Sequence, residues 1–596
     1  MTLKEPGLLM ELMGKIAARQ ANISRALASL DYVHYARFVP IPREGLLLIV
    51  TEFDGDMANY VLDFAVVLDE EFSTILSYMV DGPPGPVSRY PNEFIAYVTA
   101  NTRLPDGSPL PDPFSPYPGL SVLDIVGPRR RKFLPPRPSV GKVQVDLDDV
   151  QANLLQGFGA KRAVHLAFNA PDRAGACEFL RELISHDTLR PTPQSSRGRE
   201  LCVNLGLTHA GLTLLGIPQS QLDGFPKAFK DGPAKRAVDL GDSGNADPSK
   251  WCVGGPVAAD GELAHGLVSL LVRDLGDERI RSWTDELIEL MERHGIRPVW
   301  KQEARALDDF GTVHFGFRDG LSQPRIDGIH PAPAPAKPGD QPHLPPGDFL
   351  LGKDYMNSRG GFHIGLLDEQ IALNGSYAVM RVIRQFPYAF EDMLEREGRR
   401  LGLDPELIAA KLIGRWRNGV PLSLPDLALA PPTGKDPASL NRFDYVPPFY
   451  DDYAGARCPF GAHIRRMAPR GGLVLGVPWG RTVIRRGLAY GEALEPSDTD
   501  DSADRGLVGM FICGDIESQF EFLVRSWAAG DLSAPGLRGS QDVLAAGRAS
   551  STPFTFRASE SEDPVTIDVP PLTLTVGSLY LFVPGLKALN RLVGPT

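Results

Sequence analysis

Three short segments gather residue types that can move protons, ligate a metal and hold an anion. In GFRDGLSQPRIDG at 316–328, glycines bracket Asp319, so the backbone can turn tightly and approach a flat ligand while a carboxylate points inward. An Asp-Gly turn that caps its own amides accounts for the same residues. In CPFGAHIRRMAPR at 458–470, His463 lies beside Arg465, Arg466 and Arg470. It is either an axial metal ligand with guanidiniums at hand for a ligand's carboxylates, or a histidine that makes a structural hydrogen bond. In RTVIRRGLAYG at 481–491, Arg485 sits on a strand that runs into a glycine turn, a permanent cation facing either a site or solvent. The chain has no G-x-x-x-x-G-K-[ST], G-x-S-x-G or H-E-x-x-H, so phosphate-cradle NTPases, α/β-hydrolases and zincins have no footing.

These segments need a frame, and the apolar periodicity supplies one. Strand 163–168, helix 173–184, strands 201–207 and 267–273, helix 278–294 and strand 298–304 follow the β-α-β-β-α-β order of a ferredoxin-like unit. Helix 278–294 carries Ile280, Trp283, Leu287, Leu290 and Met291 on one face, as an amphipathic helix on a sheet must. A second series repeats the order with insertions: strand 378–383, helices 388–397 and 405–413, strands 482–486 and 507–513, helix 517–528 and strand 572–582. The expected class is α+β, two tandem ferredoxin-like halves with antiparallel sheets and a ligand cleft between them.

Ahead of the two halves, a helix (Leu8, Leu9, Leu12, Ile16), strands at 32–41 and 45–53 and helical stretches at 60–78 and 93–100 predict a small α/β unit. The expected division is an N-terminal unit at 1–126, a Pro/Arg-rich linker at 127–142, a first half at 143–329, a Pro-rich connector at 330–350 and a second half at 351–596.

Composition narrows the function classes. The 596 residues hold 62 Lys+Arg against 74 Asp+Glu, a net charge of -12, which argues against a nucleic-acid partner that needs a basic face. No apolar run approaches the ~20 residues of a membrane span. Five scattered cysteines, without C-x-x-C, exclude a disulfide scaffold and a zinc ribbon. With neither a signal-peptide pattern nor a twin-arginine pair at the start, the expected location is the cytoplasm.

Taken in order, the segments around Asp319, His463 and Arg485, followed by GLVGMFICGDIESQFEFLVRSW at 506–527, resemble the dye-decolorizing haem peroxidase family and its longer members. DDVQANLLQGFG at 148–159, CVNLGLTHAGLTLLG at 202–216 and GDFLLGKDY at 347–355 extend the resemblance over roughly 143–596 and leave 1–140 outside it. The resemblance implies one haem b per chain, with His463 as axial iron ligand, Asp319 as distal acid–base residue and Arg485 as distal arginine. It also implies Gly320, Leu321, Ser322, Ala468, Pro469 and Arg470 as residues lining the haem, and Asp515 as a candidate carboxylate behind the imidazole. Met467-Ala468 departs from the family's usual residues before Pro-Arg. The implied activity is reduction of hydrogen peroxide to water with one-electron oxidation of bulky organic donors; a haem carrier or iron-release protein of the same fold is the alternative. An acid–base carboxylate titrating near pH 4 favours acidic turnover. A homo-oligomer is left open, and Trp479, Tyr490 and Trp527 read as core aromatics before electron relays.

Overall fold

The computed structural model describes residues 1–20, 33–53, 68–102, 144–256, 263–331, 340–352, 368–424, 440–445, 455–470, 478–530, 540–545 and 550–594, apart from 86, 88, 89, 197, 274, 275, 309 and 310, together with positions 23, 27, 60, 61, 355 and 452. The linker at 127–142 and residues 332–339 of the Pro-rich connector lie outside the described residues.

The N-terminal unit comprises α1 (Leu9–Ala18), the antiparallel pair β1 (Val33–Ile41) and β2 (Leu46–Phe53), α2 (Asp69–Ser77) and α3 (Pro91–Asn101). It has its own core, in which Leu9, Leu12 and Ile16 of α1 meet Leu47, Phe72, Ile75 and Phe94. Ile95 of α3 touches this core and also a cluster of Phe522, Leu523 and Trp527 in the rest of the molecule.

The first ferredoxin-like half is β3 (Arg162–Asn169), α4 (Arg173–Ser185), β4 (Leu201–Leu207), α5 (Lys227–Arg236), β5 (Gly266–Val272), α6 (Asp277–Arg293) and β6 (Arg297–Arg305). Asp172 starts α4 by accepting a hydrogen bond from Gly175 N at 2.8 Å, a side-chain N-cap. The second half is β7 (Ser376–Gln385), α7 (Pro387–Leu401), α8 (Pro405–Ile413), α9 (His463–Met467), β8 (Ile484–Tyr490), β9 (Gly506–Cys513), two π-helical runs (Ile516–Glu521 and Leu523–Ala528) and β10 (Thr573–Val583).

The expected pair of sheets is one sheet. Its strand order is β8-β9-β7-β10-β4-β5-β3-β6, each half keeping the ferredoxin-like arrangement, and the halves join where Phe582 of β10 pairs with Leu207 of β4. Either strand left at an edge would expose unpaired N–H and C=O groups, and the junction removes both edges. The outer strands β8 and β6 also lie against each other, curling the sheet toward a barrel around an inner core of Ala163, Ala167, Leu267, Met380, Ile512 and Leu581. On the outer face, α4 and α6 cover the first half through Phe179, Leu180, Leu183, Leu287 and Leu290.

The expected cleft between the halves is instead a cavity on the outer face of the second half. There Arg381, Ile383, Gly509, Phe511, Thr573 and Thr575 project into it from the strands, and residues 313–324 of the loop leaving the first half form one side.

Candidate functional site

His463 is the first residue of α9, and its ring enters the outer-face cavity. Its Nδ1 lies 3.0 and 3.1 Å from the two carboxylate oxygens of Asp542, which is fully buried. Asp542 Oδ1 also accepts hydrogen bonds from Leu544 N at 2.8 Å and Ala545 N at 2.7 Å, so the carboxylate is fixed by its own turn before it meets the ring. Burial alone would raise the Asp542 carboxyl, but the facing His463, its hydrogen bond and nearby Arg466 hold it well below the usual range. A carboxylate there makes Nδ1 the protonated nitrogen and leaves the Nε2 lone pair free for a metal.

The carboxylate behind the imidazole is therefore Asp542 rather than Asp515. Asp515 caps the first π-helical run, accepting from Ser518 N at 3.0 Å. Sequence proximity to the Gly506–Trp527 motif pointed to Asp515, and only the chain's return at 540–545 brings Asp542 to the ring. The arginines after His463 also divide. Arg465 is buried against Asp452 at 3.0 Å and stacks over Tyr445 and Phe460. Arg466 donates to the carbonyls of Trp527 at 3.1 Å and Gly530 at 2.6 Å and to Ser540 Oγ at 2.6 Å. Both brace α9 from behind, and neither lines the cavity.

Asp319 lines the same cavity from the loop that leaves β6. Gly316 (φ 76°) and Gly320 (φ 74°) take left-handed backbone conformations on either side of it. A Cβ on Gly316 would press on the Arg417 guanidinium and its left-handed backbone already favours glycine, whereas Gly320 faces open space. Main-chain bonds from Arg318 N to Arg417 O (3.2 Å) and from Asp319 N to Gly311 O (3.0 Å) pin the loop. Leu321, Ser322, Ala468, Pro469 and Arg470 line this cavity too, but Gly320 faces a neighbouring one of about 870 Å³ inside the curled sheet. Its floor includes His165, Ser269 and Asn204, side by side on three strands.

Arg485 is on β8, an edge of the sheet, and reaches back to the Asp319 loop, donating from Nη2 to Ser322 O at 2.9 Å. Two further arginines line the cavity in an unusual state. Arg415 donates to the carbonyls of Gly419 and Leu440, both at 2.8 Å. Arg470 donates to the carbonyls of Asn441 (3.0 Å) and Phe443 (2.5 Å). Neither forms a salt bridge among the described residues. Burial and the charge of Arg470 push Arg415 down to about 9, and burial pushes Arg470 down to about 10. Buried cations without counter-ions are costly, and an anionic group entering the cavity would offset that cost.

The donor set constrains what could bind. Among the described residues no group of three or more His, Cys, Asp or Glu could hold a metal ion, and one imidazole alone does not. Iron at His463 must bring its other ligands with it, as a porphyrin does, and the porphyrin's carboxylates match Arg415 and Arg470. The cavity, about 330 Å³, offers apolar walls from Phe317, Leu321, Phe511, Phe520 and Leu523. The residues present fit a haem.

Comparison with known proteins gives a consistent picture. The chain is 29% identical over 519 residues to dye-decolorizing peroxidase msp1 of Mycetinis scorodonius, covering 78% of this chain and 94% of that protein. It is 26% identical over 504 residues to the multifunctional dye peroxidase DyP2 of an Amycolatopsis strain, covering 76% and 97%. Among solved structures, an ancestral D-type dye-decolorizing peroxidase superposes with a TM-score of 0.64 at 27% identity, covering 76% of this chain and all of the other. A dye-decolorizing peroxidase in complex with 2,6-dimethoxyphenol superposes with a TM-score of 0.63 at 25% identity, with the same coverage. No family model matches the chain. Among the described residues, no helix is long and apolar enough to cross a membrane.

Proposed function

We propose that the chain, which is similar over about three quarters of its length to dye-decolorizing peroxidases, reduces hydrogen peroxide to water and oxidises organic donors in one-electron steps, with one haem b held by His463. The observation that carries this reading is the His463–Asp542 contact at 3.0 Å on a cavity wall shared with Asp319 and Arg485. In it, residues 143–329 and 351–596 work as one module, the first half supplying the acid–base loop and the second the ligand.

Haem bound here supplies the redox chemistry of peroxide cleavage. With haem bound, Asp319 would take a proton from one oxygen of peroxide and return it to the other, which would leave as water. Arg485 stabilises the negative charge that develops on the departing oxygen. Asp542 keeps the ring of His463 oriented and strengthens Nε2 as a donor. Arg415 and Arg470 would hold the haem carboxylates.

The test is the absorption spectrum of haem-loaded protein together with peroxide-dependent dye oxidation. His463→Ala is expected to abolish the Soret band of bound haem and all turnover. A wild-type protein that binds haem without oxidising any dye, or a His463→Ala variant with an unchanged spectrum, would overturn the proposal.

A further inference from the structure

The loop that carries Asp319 and the strand that carries Arg485 are joined by the side chain of Gln323, which bonds to the main chain of Arg485. Gln323 lies four residues beyond Asp319. Its Nε2 donates to the main-chain oxygen of Arg485 at 2.9 Å, and its Oε1 accepts from the main-chain nitrogen of Arg485 at 3.2 Å. With the bond from Arg485 Nη2 to Ser322 O at 2.9 Å, three hydrogen bonds tie residues 322–323 to one residue of β8.

The physical need is clear from the sheet. Among the described residues β8 is an outermost strand that pairs only with β9, so the N–H and C=O groups on its other side have no ladder partner there. A carboxamide presents an N–H donor and a C=O acceptor on neighbouring atoms, the pattern of a peptide edge. Gln323 thus stands in for one residue of a missing strand, at the position where the strand carries Arg485. On the loop side, Asp319 N is held by Gly311 O at 3.0 Å, so the segment between Asp319 and Gln323 is anchored at both ends.

We propose that Gln323 is a positioning residue that sets the separation between the Asp319 carboxylate and the Arg485 guanidinium. This rests on the assignment of that pair to the peroxide side of the haem. A clamp acting through the main chain fixes where both side chains start, and two groups that must act on the two oxygens of one small molecule tolerate little displacement. Other side chains fail for stated reasons. Leucine fills similar space but pairs with neither group, asparagine is shorter by a methylene, and an ionised glutamate can accept from the Arg485 nitrogen but cannot donate to its oxygen.

The experiment uses haem-loaded enzyme, with the rate of reaction with hydrogen peroxide measured by stopped-flow absorbance and cyanide as a probe of the same face. Gln323→Leu is expected to slow the peroxide reaction by about ten- to a hundredfold and weaken cyanide binding, with the resting Soret band and the donor KM unchanged. Gln323→Glu adds a readout that mere structural support would not move. Its rate relative to wild type should recover as pH falls through roughly 4–5, because a protonated carboxyl regains the missing donor. If Gln323→Leu reacts at the wild-type rate while Arg485→Leu is slow, the clamp is refuted and the distal pair stands. If Arg485→Leu is also fast, the assignment of the pair fails first. If Gln323→Leu does not retain haem, the Gln323→Glu ratio decides, and a ratio independent of pH refutes the clamp.

Discussion

The two halves share one topology and use it for opposite ends. In the first, α4 and α6 lie directly on the outer face of the sheet and close it with Phe179, Leu180, Leu287 and Leu290. In the second, the same face stays partly uncovered. The chain between β7 and β8 leaves the sheet to build α7, α8 and α9, and α7 and α8 form a separate core with Phe315, Phe317 and the hairpin Thr552–Phe556/Val565–Val569. The helix after β9 also differs from its counterpart α6: it is wound in π-helical turns and buries carboxylates that α6 carries at its surface. A strand order thus specifies a sheet, and what the crossovers do with one face decides whether that sheet has a core or a site. π-helical segments often occur at such sites.

Four changes would break or sharpen this contrast. Asp319→Asn, in the loop the first half lends to the cavity, is expected to lower the rate of peroxide reaction by about 10²–10⁴ while haem binding is retained, measured by stopped-flow spectroscopy. An unaffected rate would mean that the first half contributes only scaffolding. Asp542→Asn should weaken haem binding by about 10–100-fold in a titration, because the buried partner of the imidazole loses its charge.

In the first half the expected effect has a different character. Leu287→Ala on α6, at a fully buried position, should cost about 2–5 kcal/mol in denaturant unfolding and leave the Soret band and peroxide rate unchanged. A spectral change would show that the closed half feels the cavity. The smallest effect concerns Glu517, whose carboxyl accepts from Ala228 N at 2.7 Å at the start of α5. Burial, then the neighbouring charges of Asp515 and Glu521, push it up to about 8. A carboxyl raised in the folded state contributes stability that is present below its unfolded value of 4.5 and is lost as pH rises through about 8. Wild-type Tm should therefore fall relative to Glu517→Gln as pH increases across that window, and parallel curves would show that Glu517 does not titrate there.

Much of the frame was legible because its signals are local. The 3.6-residue spacing along 278–294 matches α6 (Asp277–Arg293), the strand 201–207 is β4 to the residue, and helix 405–413 is α8. Asp319, His463 and Arg485 were legible through the residues around them, and the structure brings all three to one cavity. The helix expected at 517–528 is present but π-wound, a difference of hydrogen-bond partner by one residue that apolar periodicity does not register. Arg465 and Arg466 looked equivalent to Arg470 in the sequence, yet only Arg470, which lies beyond the end of α9, lines the cavity, while the two helical arginines bond to Asp452 and to the 527–540 region behind it. Asp542 carries no motif at all; the only trace of it is an Asp at the start of a turn, and such turns are common.

By itself the sequence determined the repeated β-α-β-β-α-β order and singled out Asp319, His463 and Arg485, since these depend on periodicity and on side-chain chemistry within a few positions. The tertiary structure alone decided that two sheets fuse through Phe582 and Leu207, that the cavity opens on the outer face of one half, that Arg415 and Gln323 line it, and that Asp542 meets His463 from behind. Those outcomes are set by contacts between residues far apart in the chain, where the need to satisfy a buried charge or an unpaired strand edge selects a partner that no local pattern announces.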